Sequence, residues 1–283
     1  MVPTVASKTT GTETVRSNLV PMERTVGRQH MFADVELLTA SSLTVPHGFP
    51  TRTGGISAAP FDSLNTSRVV GDVDDAVTEN LRRLAEAARV SPEKLFSVSQ
   101  VHGAAVVEAP GVTSKTEADA VWTQTPGTAV GVRTADCVPI LLQDVRSGRV
   151  AAVHAGWRGV VAEIVARTLE LWVSRGTNLG DVRAAIGPAI QRCCFEVDGD
   201  LPARFAAGFG DDVVVPVQGK VKRHLDLPRA VGLTLARAGV AASHVVTLPH
   251  CTVCDARFFS HRRDRGVTGR HLSFITCVGA ASL

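Results

Sequence analysis

The sequence predicts a mixed α/β (α+β) fold, in which mixed sheets are flanked by helices. Short β-rich runs alternate with amphipathic helical segments along the chain, a pattern typical of sheets covered by helices. Hydrophobic residues make up 45% of the 283 residues, which is enough for a substantial core. No repeat of fixed period and no linker interrupts residues 31–283, so we predict a single catalytic domain there.

The first 30 residues are rich in Thr, Val, Ser and charge, and they lack the apolar segment of a signal peptide. We predict a disordered tail over residues 1–30, or a translation start at Met22 or Met31. The net charge of +3 is too small to indicate a nucleic-acid partner, and no apolar run has membrane-spanning length. We expect a cytoplasmic monomer or weak dimer that binds a small, anionic ligand.

Taken in order, residues 32–43 predict a strand and residues 72–90 a helix, since Val77, Leu81 and Leu84 recur at helical spacing. Residues 104–108, 118–123 and 128–133 are short β-rich runs. Residues 138–142 and 150–153 are apolar strands joined by a turn, which predicts a hairpin. Cys137 precedes the first of these strands and His154 follows the second. In an antiparallel pair the start of the first strand lies beside the end of the second, so both side chains can meet at the same end of the hairpin.

A helix is predicted over residues 157–175, directly after a strand and Gly156. A strand end followed by a glycine turn and a helix start favours anions, which makes Arg158 a candidate phosphate ligand. Arg52 lies in a Gly-rich loop and could also hold an anion, although a plain turn with a solvated Arg is an equal alternative. Later in the chain, residues 182–186, 213–217, 243–248 and 272–278 predict strands, and Asp226 caps a helix that runs to residue 238.

The chain has six cysteines, which are Cys137, Cys193, Cys194, Cys251, Cys254 and Cys277. A long chain without a signal peptide is not expected to carry a disulfide framework. We expect the adjacent pair at 193 and 194 to be buried as small apolar groups. One C-x-x-C pair at 251–254 without a distant second pair is weak, so buried thiols are favoured there over a structural zinc site.

Two histidines and one cysteine form a candidate metal-ligand set. His102 ends an extended run over residues 95–101, and Cys137 and His154 lie at the predicted hairpin. Three protein ligands with an open fourth position are typical of catalytic zinc. Asp136, beside Cys137, is a candidate for orienting a ligand or moving a proton, and Gln100, close to His102, is a candidate substrate contact.

These residues fall in motifs that resemble one known family. The chain is similar to the bacterial YfiH/YlmD family, also called laccase-domain or polyphenol oxidase proteins, from about residue 46 to the C-terminus. The family usually has a His before its Val-Gly-Asp, where this chain has Val69. The matching motifs occur in the family's order and are residues 99–103, 135–139, 153–159, 186–188, 193–197 and 258–270.

The resemblance implies the fold shared with the catalytic domain of cytotoxic necrotising factor toxins. It also implies zinc held by His102, Cys137 and His154. The implied activity is phosphorolysis of purine nucleosides (adenosine, inosine, guanosine and methylthioadenosine) with inorganic phosphate, together with adenosine deamination. The C-terminal motif adds Arg262, Arg263 and Arg270, which could recognise an anion or merely coat a surface.

Three other functions compete with this interpretation. A copper polyphenol oxidase needs many His ligands, and the chain has nine His without a His-x-His pair, so we expect copper binding only in vitro. A cysteine hydrolase, acting on a cell-wall precursor for example, would use Cys137 as nucleophile and His154 as base. A structural zinc domain or binding module would need a fourth protein ligand, for which His47 or Cys254 is available.

Overall fold

The computed structural model describes residues 28–32, 34–216 and 222–279. Two six-stranded sheets pack face to face, and helices cover their outer faces, so the predicted mixed α/β class is confirmed. The strands are β1 (Arg28–Phe32), β2 (Val35–Thr39), β3 (His47–Pro50), β4 (Leu95–Phe96), β5 (Val106–Glu108), β6 (Ala120–Thr123), β7 (Thr128–Thr134), β8 (Val138–Asp144), β9 (Val150–Ala155), β10 (Val182–Ile186), β11 (Glu196–Val197), β12 (Val214–Pro216), β13 (Arg223–Leu225), β14 (Val245–Thr247) and β15 (His271–Cys277).

Both large sheets are mixed. The first has the order β1-β2-β3-β15-β7-β4, and the second has the order β14-β10-β8-β9-β6-β5. The pairs β4–β7, β5–β6 and β10–β14 are parallel, and the other described pairs in these sheets are antiparallel. Strands β11, β13 and β12 form a small third sheet. Three adjacent strands of the second sheet, β6, β8 and β9, are buried along their whole length, because helices cover one face and the first sheet covers the other.

The helices are α1 (Asp74–Ala87), α2 (Trp157–Val161), α3 (Ile164–Ser174), α4 (Leu201–Phe209) and α5 (Leu227–Ala238). The Asp226 carboxylate caps α5 by accepting the backbone N–H of Arg229 at 3.1 Å, as its position predicted. The single helix predicted over residues 157–175 is wrong. Glu163 has φ of 60°, in the left-handed region, which ends α2 and lets α3 begin in a new direction.

Three apolar clusters hold these layers together. The largest lies between the second sheet and helices α3 and α5, and it contains Trp122 and Trp172. The next fills the space between the two large sheets. The third packs α1 against the outer face of the first sheet. The two large sheets are therefore the inner layers of the molecule, and the residues at their strand ends are held on a rigid frame.

The predicted hairpin is present as β8 and β9, which pair antiparallel with Pro139 opposite His154. His154 thus lies inside β9 rather than after it. Residues 1–27 of the predicted tail lie outside the described residues, and β1 begins at Arg28, within the segment predicted as a tail. In the described ranges, no helix combines the length and the apolar character that crossing a membrane requires.

Candidate metal centre

Three side chains that can bind a metal meet at the end of the β8–β9 hairpin. His102, Cys137 and His154 each offer one ligand atom, and these atoms all lie within 4.8 Å of one another. The Cys137 Sγ atom is 3.9 Å from Nε2 of His102. The two imidazole rings meet edge to face with their centroids 4.8 Å apart. The structure therefore brings together the three residues that the sequence indicated as a ligand set.

Gly156 allows these ligands to approach one another. The pairing of Pro139 with His154 places Cys137 and Gly156 at the same end of the hairpin. A Cβ atom on Gly156 would lie 2.9 Å from Cδ2 of His102 and 3.1 Å from Sγ of Cys137. Any side chain at this position would push both ligands away, so the close approach requires glycine.

Two residues of the centre have a left-handed backbone. The φ angle is 60° at His102 and 89° at Asp136. Residues with a side chain rarely adopt this region, which costs on the order of 1–3 kcal/mol for each residue. The buried carboxylate of Asp119 stabilises the first of them, since it accepts the backbone N–H of His102 at 3.0 Å and that of Gly103 at 2.6 Å. The ligand loop is thus held by a carboxylate rather than by regular structure.

The same carboxylate orients His154. Oδ1 of Asp119 accepts a hydrogen bond from Nδ1 of His154 at 2.8 Å, and both side chains are buried. The proton is thereby fixed on Nδ1, which leaves Nε2 as the nitrogen that can bind a metal. No sequence motif predicted this role for Asp119, because only the pairing of β6 with β9 brings it beside His154.

The charges of these groups depend on one another. Burial raises the pKa of Cys137, but the His154 imidazolium and hydrogen bonds with both histidines lower it to about 6. Burial lowers the pKa of His154, whereas the Cys137 thiolate and Asp119 raise it to about 9. Burial raises the pKa of Asp119, and its hydrogen bonds with His154 and the backbone hold it below its usual value. Near pH 7 the metal-free centre is a thiolate–imidazolium pair, and a thiolate is the form that binds metals.

This donor set fits zinc. One thiolate and two imidazole nitrogens are donors that zinc prefers, and Asp119 gives His154 the additional hydrogen bond that a zinc-bound His usually has. Among the described residues, no fourth His, Cys, Asp or Glu joins this group. His47, a candidate fourth ligand, instead accepts the Ala40 N–H and contacts the Val45 carbonyl through its two ring nitrogens. The set matches a catalytic site better than a closed structural one.

A cavity of about 880 Å³ lies beside the three ligands, which are part of its lining, and this volume suits a small organic ligand. Its wall also has apolar side chains, among them Trp157, Phe195, Leu227 and Leu272. The cations that line it are Arg68, Lys115, Arg133, Arg262 and Arg270. The combination of apolar surface and several cations favours a ligand with a flat apolar part and an anionic part.

Two of these cations are partly buried. Burial and the charge of Arg68 lower the pKa of Arg133 to about 10. Burial also lowers the pKa of Arg270, although the charges of Cys137 and Asp136 oppose that shift. Arg133 and Arg270 donate hydrogen bonds to backbone carbonyls, and no described carboxylate forms an ion pair with either guanidinium group. An anion in the cavity would supply the charge partner that these side chains lack.

Asp136 lies beside the cavity, but its carboxylate is occupied. It accepts the hydroxyl of Thr252 and the backbone N–H of Arg262, both at 2.6 Å. Its backbone carbonyl accepts the N–H of Ile190 at 2.8 Å. These contacts connect Asp136 to two other loops, whereas the carboxylate that contacts the histidines belongs to Asp119. The structure thus places Asp136 where it positions the loop that carries Cys137.

The three predicted substrate contacts lie in different surroundings. Gln100 lines the cavity and pairs its amide with the backbone N–H and carbonyl of Arg133 at 2.7 and 2.6 Å. Arg52 does not line the cavity; it forms an ion pair with Asp62 at 2.8 Å. Arg158 is exposed on α2 and stacks on the Trp157 ring at 4.3 Å. Neither of these two arginines lines the cavity.

The three C-terminal arginines differ in whether they line the cavity. Arg262 and Arg270 line the cavity. Arg263 pairs with Asp264 at 2.8 Å and donates to the carbonyls of Thr252 and Phe258. Its guanidinium therefore stabilises the C-terminal loop, and it is not a contact of the cavity.

Comparison with known proteins identifies the family. The model of the family described as multi-copper polyphenol oxidoreductase laccase matches residues 46–278. The chain belongs to this laccase-domain family. A laccase-domain relative from Deinococcus radiodurans, named purine nucleoside phosphorylase, is 42% identical over 237 residues and aligns with 83% of this chain and 90% of its own length. Purine nucleoside phosphorylase YlmD of Geobacillus stearothermophilus is 37% identical over 242 residues, with 81% and 88% coverage.

Solved structures of the YfiH/YlmD family share this fold. The crystal structure of YlmD from Geobacillus stearothermophilus superposes with a TM-score of 0.81 at 34% identity, covering 89% of this chain and 98% of that one. The crystal structure of the Bacillus licheniformis hypothetical protein YfiH gives a TM-score of 0.80 at 32% identity, with 87% and 97% coverage. The family resemblance read from the sequence motifs is confirmed.

Proposed function

We propose that this laccase-domain protein is a zinc-dependent purine nucleoside phosphorylase. The observation that carries the proposal is the set formed by His102, Cys137 and His154 in the lining of a cavity with several cations on its wall. Relatives at 37 to 42% identity that are named purine nucleoside phosphorylase support the reaction class. The His–Cys–His set offers a place for a metal, and the cations offer a place for phosphate.

Zinc held by His102, Cys137 and His154 would supply positive charge that neutralises an anionic nucleophile and lowers the pKa of a bound water. The chain itself keeps the ligands in position. Asp119 fixes the ring of His154 and the backbone of His102, and Gly156 leaves room for both ligands beside it. This preorganisation removes the cost of assembling the site during the reaction.

We assign phosphate binding to Arg133 and Arg270, and not to Arg52 and Arg158. The first two guanidinium groups line the cavity without a carboxylate partner among the described residues. Arg52 is neutralised by Asp62, and Arg158 is exposed to solvent. The planar guanidinium group binds phosphate oxygens through paired hydrogen bonds, which suits this role.

Phosphorolysis forms a bond from a phosphate oxygen to C1′ of the ribose and breaks the bond from C1′ to the purine nitrogen. The purine leaves with the electron pair of that bond and takes up a proton. Trp157 and Phe195 offer ring faces on the cavity wall against which a purine can pack. The proposed substrates are adenosine, inosine, guanosine and methylthioadenosine. Deamination of adenosine is the proposed side reaction. In it, a water oxygen forms a bond to C6 of the adenine ring, the bond from C6 to the amino nitrogen breaks, and ammonia leaves with inosine as the other product.

A phosphate-dependence assay on adenosine and inosine tests the proposal. Release of free base from inosine should require phosphate and yield ribose 1-phosphate, and Arg270→Gln should raise the KM for phosphate about tenfold or more through a lost charge-assisted contact. Arg167→Gln removes an exposed arginine of α3 and serves as the matched control. Base release that does not depend on phosphate would contradict the proposal, and a raised KM in Arg158→Gln alone would contradict the assignment of the arginines.

The Cys137→Ala variant tests the metal. Loss of one ligand should remove several kcal/mol of transition-state stabilisation, so activity should fall on the order of 10³-fold. The variant should also bind one equivalent of zinc fewer than the wild-type protein. Metal analysis, carried out beside the activity assay, distinguishes zinc from copper. The described residues bring only two histidines to this centre, whereas a copper polyphenol oxidase needs many. A stoichiometric amount of copper in protein grown without added copper would favour the polyphenol oxidase.

One observation favours a second candidate, a cysteine hydrolase. The site contains a thiol, an imidazole and a carboxylate in series, from Cys137, His154 and Asp119. Burial raises the pKa of the Cys137 thiol, but the imidazolium lowers it to about 6. A hydrolase would retain activity in the presence of a chelator and lose it on alkylation of Cys137. The zinc enzyme should lose activity with the chelator and recover it when zinc is added.

A further inference from the structure

Four thiols gather in the loops that follow β10 and β14, outside the His–Cys–His set. They belong to Cys193, Cys194, Cys251 and Cys254, and their Sγ atoms all lie within 4.8 Å of one another. The Sγ atom of Cys254 is 3.7 Å from that of Cys193 and 3.3 Å from that of Cys194. We call these residues the four-thiol cluster.

We propose that the four-thiol cluster is a second metal site, which binds one zinc ion through four thiolates and fastens two loops together. In a tetrahedral site with Zn–S bonds of about 2.3 Å, the sulfur atoms lie about 3.8 Å apart. The observed separations of 3.3 and 3.7 Å, within a group spanning 4.8 Å, are close to that arrangement. Four sulfur donors select zinc or iron over magnesium, calcium or manganese.

The expectation of burial is wrong for two of these cysteines, whereas it holds for Cys251, which is buried. Cys193 and Cys254 are exposed, so apolar burial does not explain them. Cys193 and Cys194 lie in a turn, and both of these adjacent thiols reach Cys254. The distant second pair that the C-x-x-C motif lacked is this adjacent pair, which the spacing rule for zinc sites does not include.

The position of the cluster gives the metal a structural role. Residue Ala189 forms a parallel bridge with Cys251, and Thr252 donates its backbone N–H to the Ala189 carbonyl at 3.1 Å. The Thr252 hydroxyl in turn donates to Asp136, the neighbour of Cys137. A metal at the cluster would therefore hold the loop that positions Asp136, and no substrate cavity is needed for that function.

Metal analysis of single variants tests the proposal. Wild-type protein, purified under reducing conditions from zinc-containing medium, should hold two zinc ions per chain. Cys254→Ser should lose the cluster zinc and keep the other, and the matched variant Cys137→Ser should do the reverse. Cys254 is exposed, so its substitution leaves no buried cavity. Wild-type protein with a single zinc that Cys137→Ser removes would overturn the proposal, and so would iron in place of zinc at the cluster.

A measurement on the wild-type chain remains informative if Cys254→Ser fails to fold. A thiol reagent should label Cys193 and Cys254 slowly in the zinc-loaded protein despite their exposure, and rapidly after a chelator removes the metal. Peptide mapping assigns the label to each cysteine. Equal labelling before and after chelation would overturn the proposal, as would a disulfide found between these cysteines in the reduced preparation.

Discussion

The His–Cys–His set and the four-thiol cluster are both groups of soft ligands, yet they differ in every property that decides what a bound metal does. The first has three donors and a cavity beside it, and two of its ligands, His102 and His154, donate hydrogen bonds to the buried Asp119 carboxylate. The second has four thiols, two of them exposed, and none of the four lines that cavity. The number of donors and the access to a ligand, rather than the presence of cysteine, separate a catalytic site from a structural one.

The two groups also differ in how the thiols ionise. Burial raises the pKa of Cys137, but nearby imidazolium charge lowers it to about 6. Burial and hydrogen bonds with neighbouring thiols raise the pKa of Cys193 to about 11. The first set thus prepares its own thiolate, whereas Cys193 depends on an incoming cation to become ionised.

Between the two ligand groups, the largest predicted difference concerns the metal-stripped protein. Cys137 should react with iodoacetamide on the order of 10²-fold faster than Cys193 at pH 7, although Cys193 is more exposed, because only Cys137 is largely thiolate there. The Cys137 rate should rise as the pH passes about 6 and then level off, since protonation below that pKa removes the nucleophile. Mass spectrometry measures the alkylation rate of each cysteine. A Cys137 rate that reaches half of its maximum near pH 9 would contradict the prediction.

Asp119→Asn should weaken zinc binding at the His–Cys–His set and lower activity, each about 10- to 100-fold, because His154 loses the carboxylate that fixes its ring. The four-thiol cluster should keep its zinc, which makes it an internal reference. A competition titration with a chelator of known affinity measures both sites. Equal loss of zinc from the two sites would indicate general unfolding and not a positioning effect.

Gly156→Ala should lower zinc affinity at the His–Cys–His set about tenfold, since the new methyl group would meet His102 and Cys137 at 2.9 and 3.1 Å. Gly208→Ala is the matched control. A Cβ atom on Gly208 would contact nothing within 4 Å, and alanine in helix α4 should be neutral or stabilising by about 0.5 kcal/mol. Unchanged affinity in Gly156→Ala would show that the ligands can move apart at no cost.

The smallest predicted effect is that of Asp136→Asn on the rate. The amide can keep one of its two hydrogen bonds, so unfolding free energy should fall by about 1–3 kcal/mol while kcat changes only a few-fold. Thermal unfolding and single-turnover kinetics measure the two quantities. A fall in kcat as large as that of Asp119→Asn would return Asp136 to the chemistry.

Features encoded over short distances in the chain could be predicted from the sequence. The β8–β9 hairpin follows from two apolar runs and a turn, and α5 follows from the Asp226 cap. The break between α2 and α3 could not be predicted, because the apolar period continues through Glu163 while its backbone turns left-handed. Local signals describe each element well and its tertiary surroundings poorly.

The same limit applies to the two ligand groups. The three ligands of the first set were found because each is in a motif of its own. Asp119 and the cavity residue Arg133 belong to the site only through tertiary contacts, whereas Arg270 was already a candidate from the C-terminal motif. The four-thiol cluster depends on the bridge between Ala189 and Cys251, which joins segments far apart in the chain. No rule on spacing within a segment could have revealed that juxtaposition.

The pairing of Pro139 with His154 makes the far end of the hairpin important for the metal centre. Side chains alternate between the two faces of a strand, so a shift of one residue in the pairing of β8 and β9 would rotate the imidazole of His154 to the opposite face. Insertions in the turn around Ser147 are therefore tolerated only when they bulge outward and leave the pairing of β8 with β9 unshifted. A surface turn at one end of these strands thus constrains the chemistry of the metal centre at their other end.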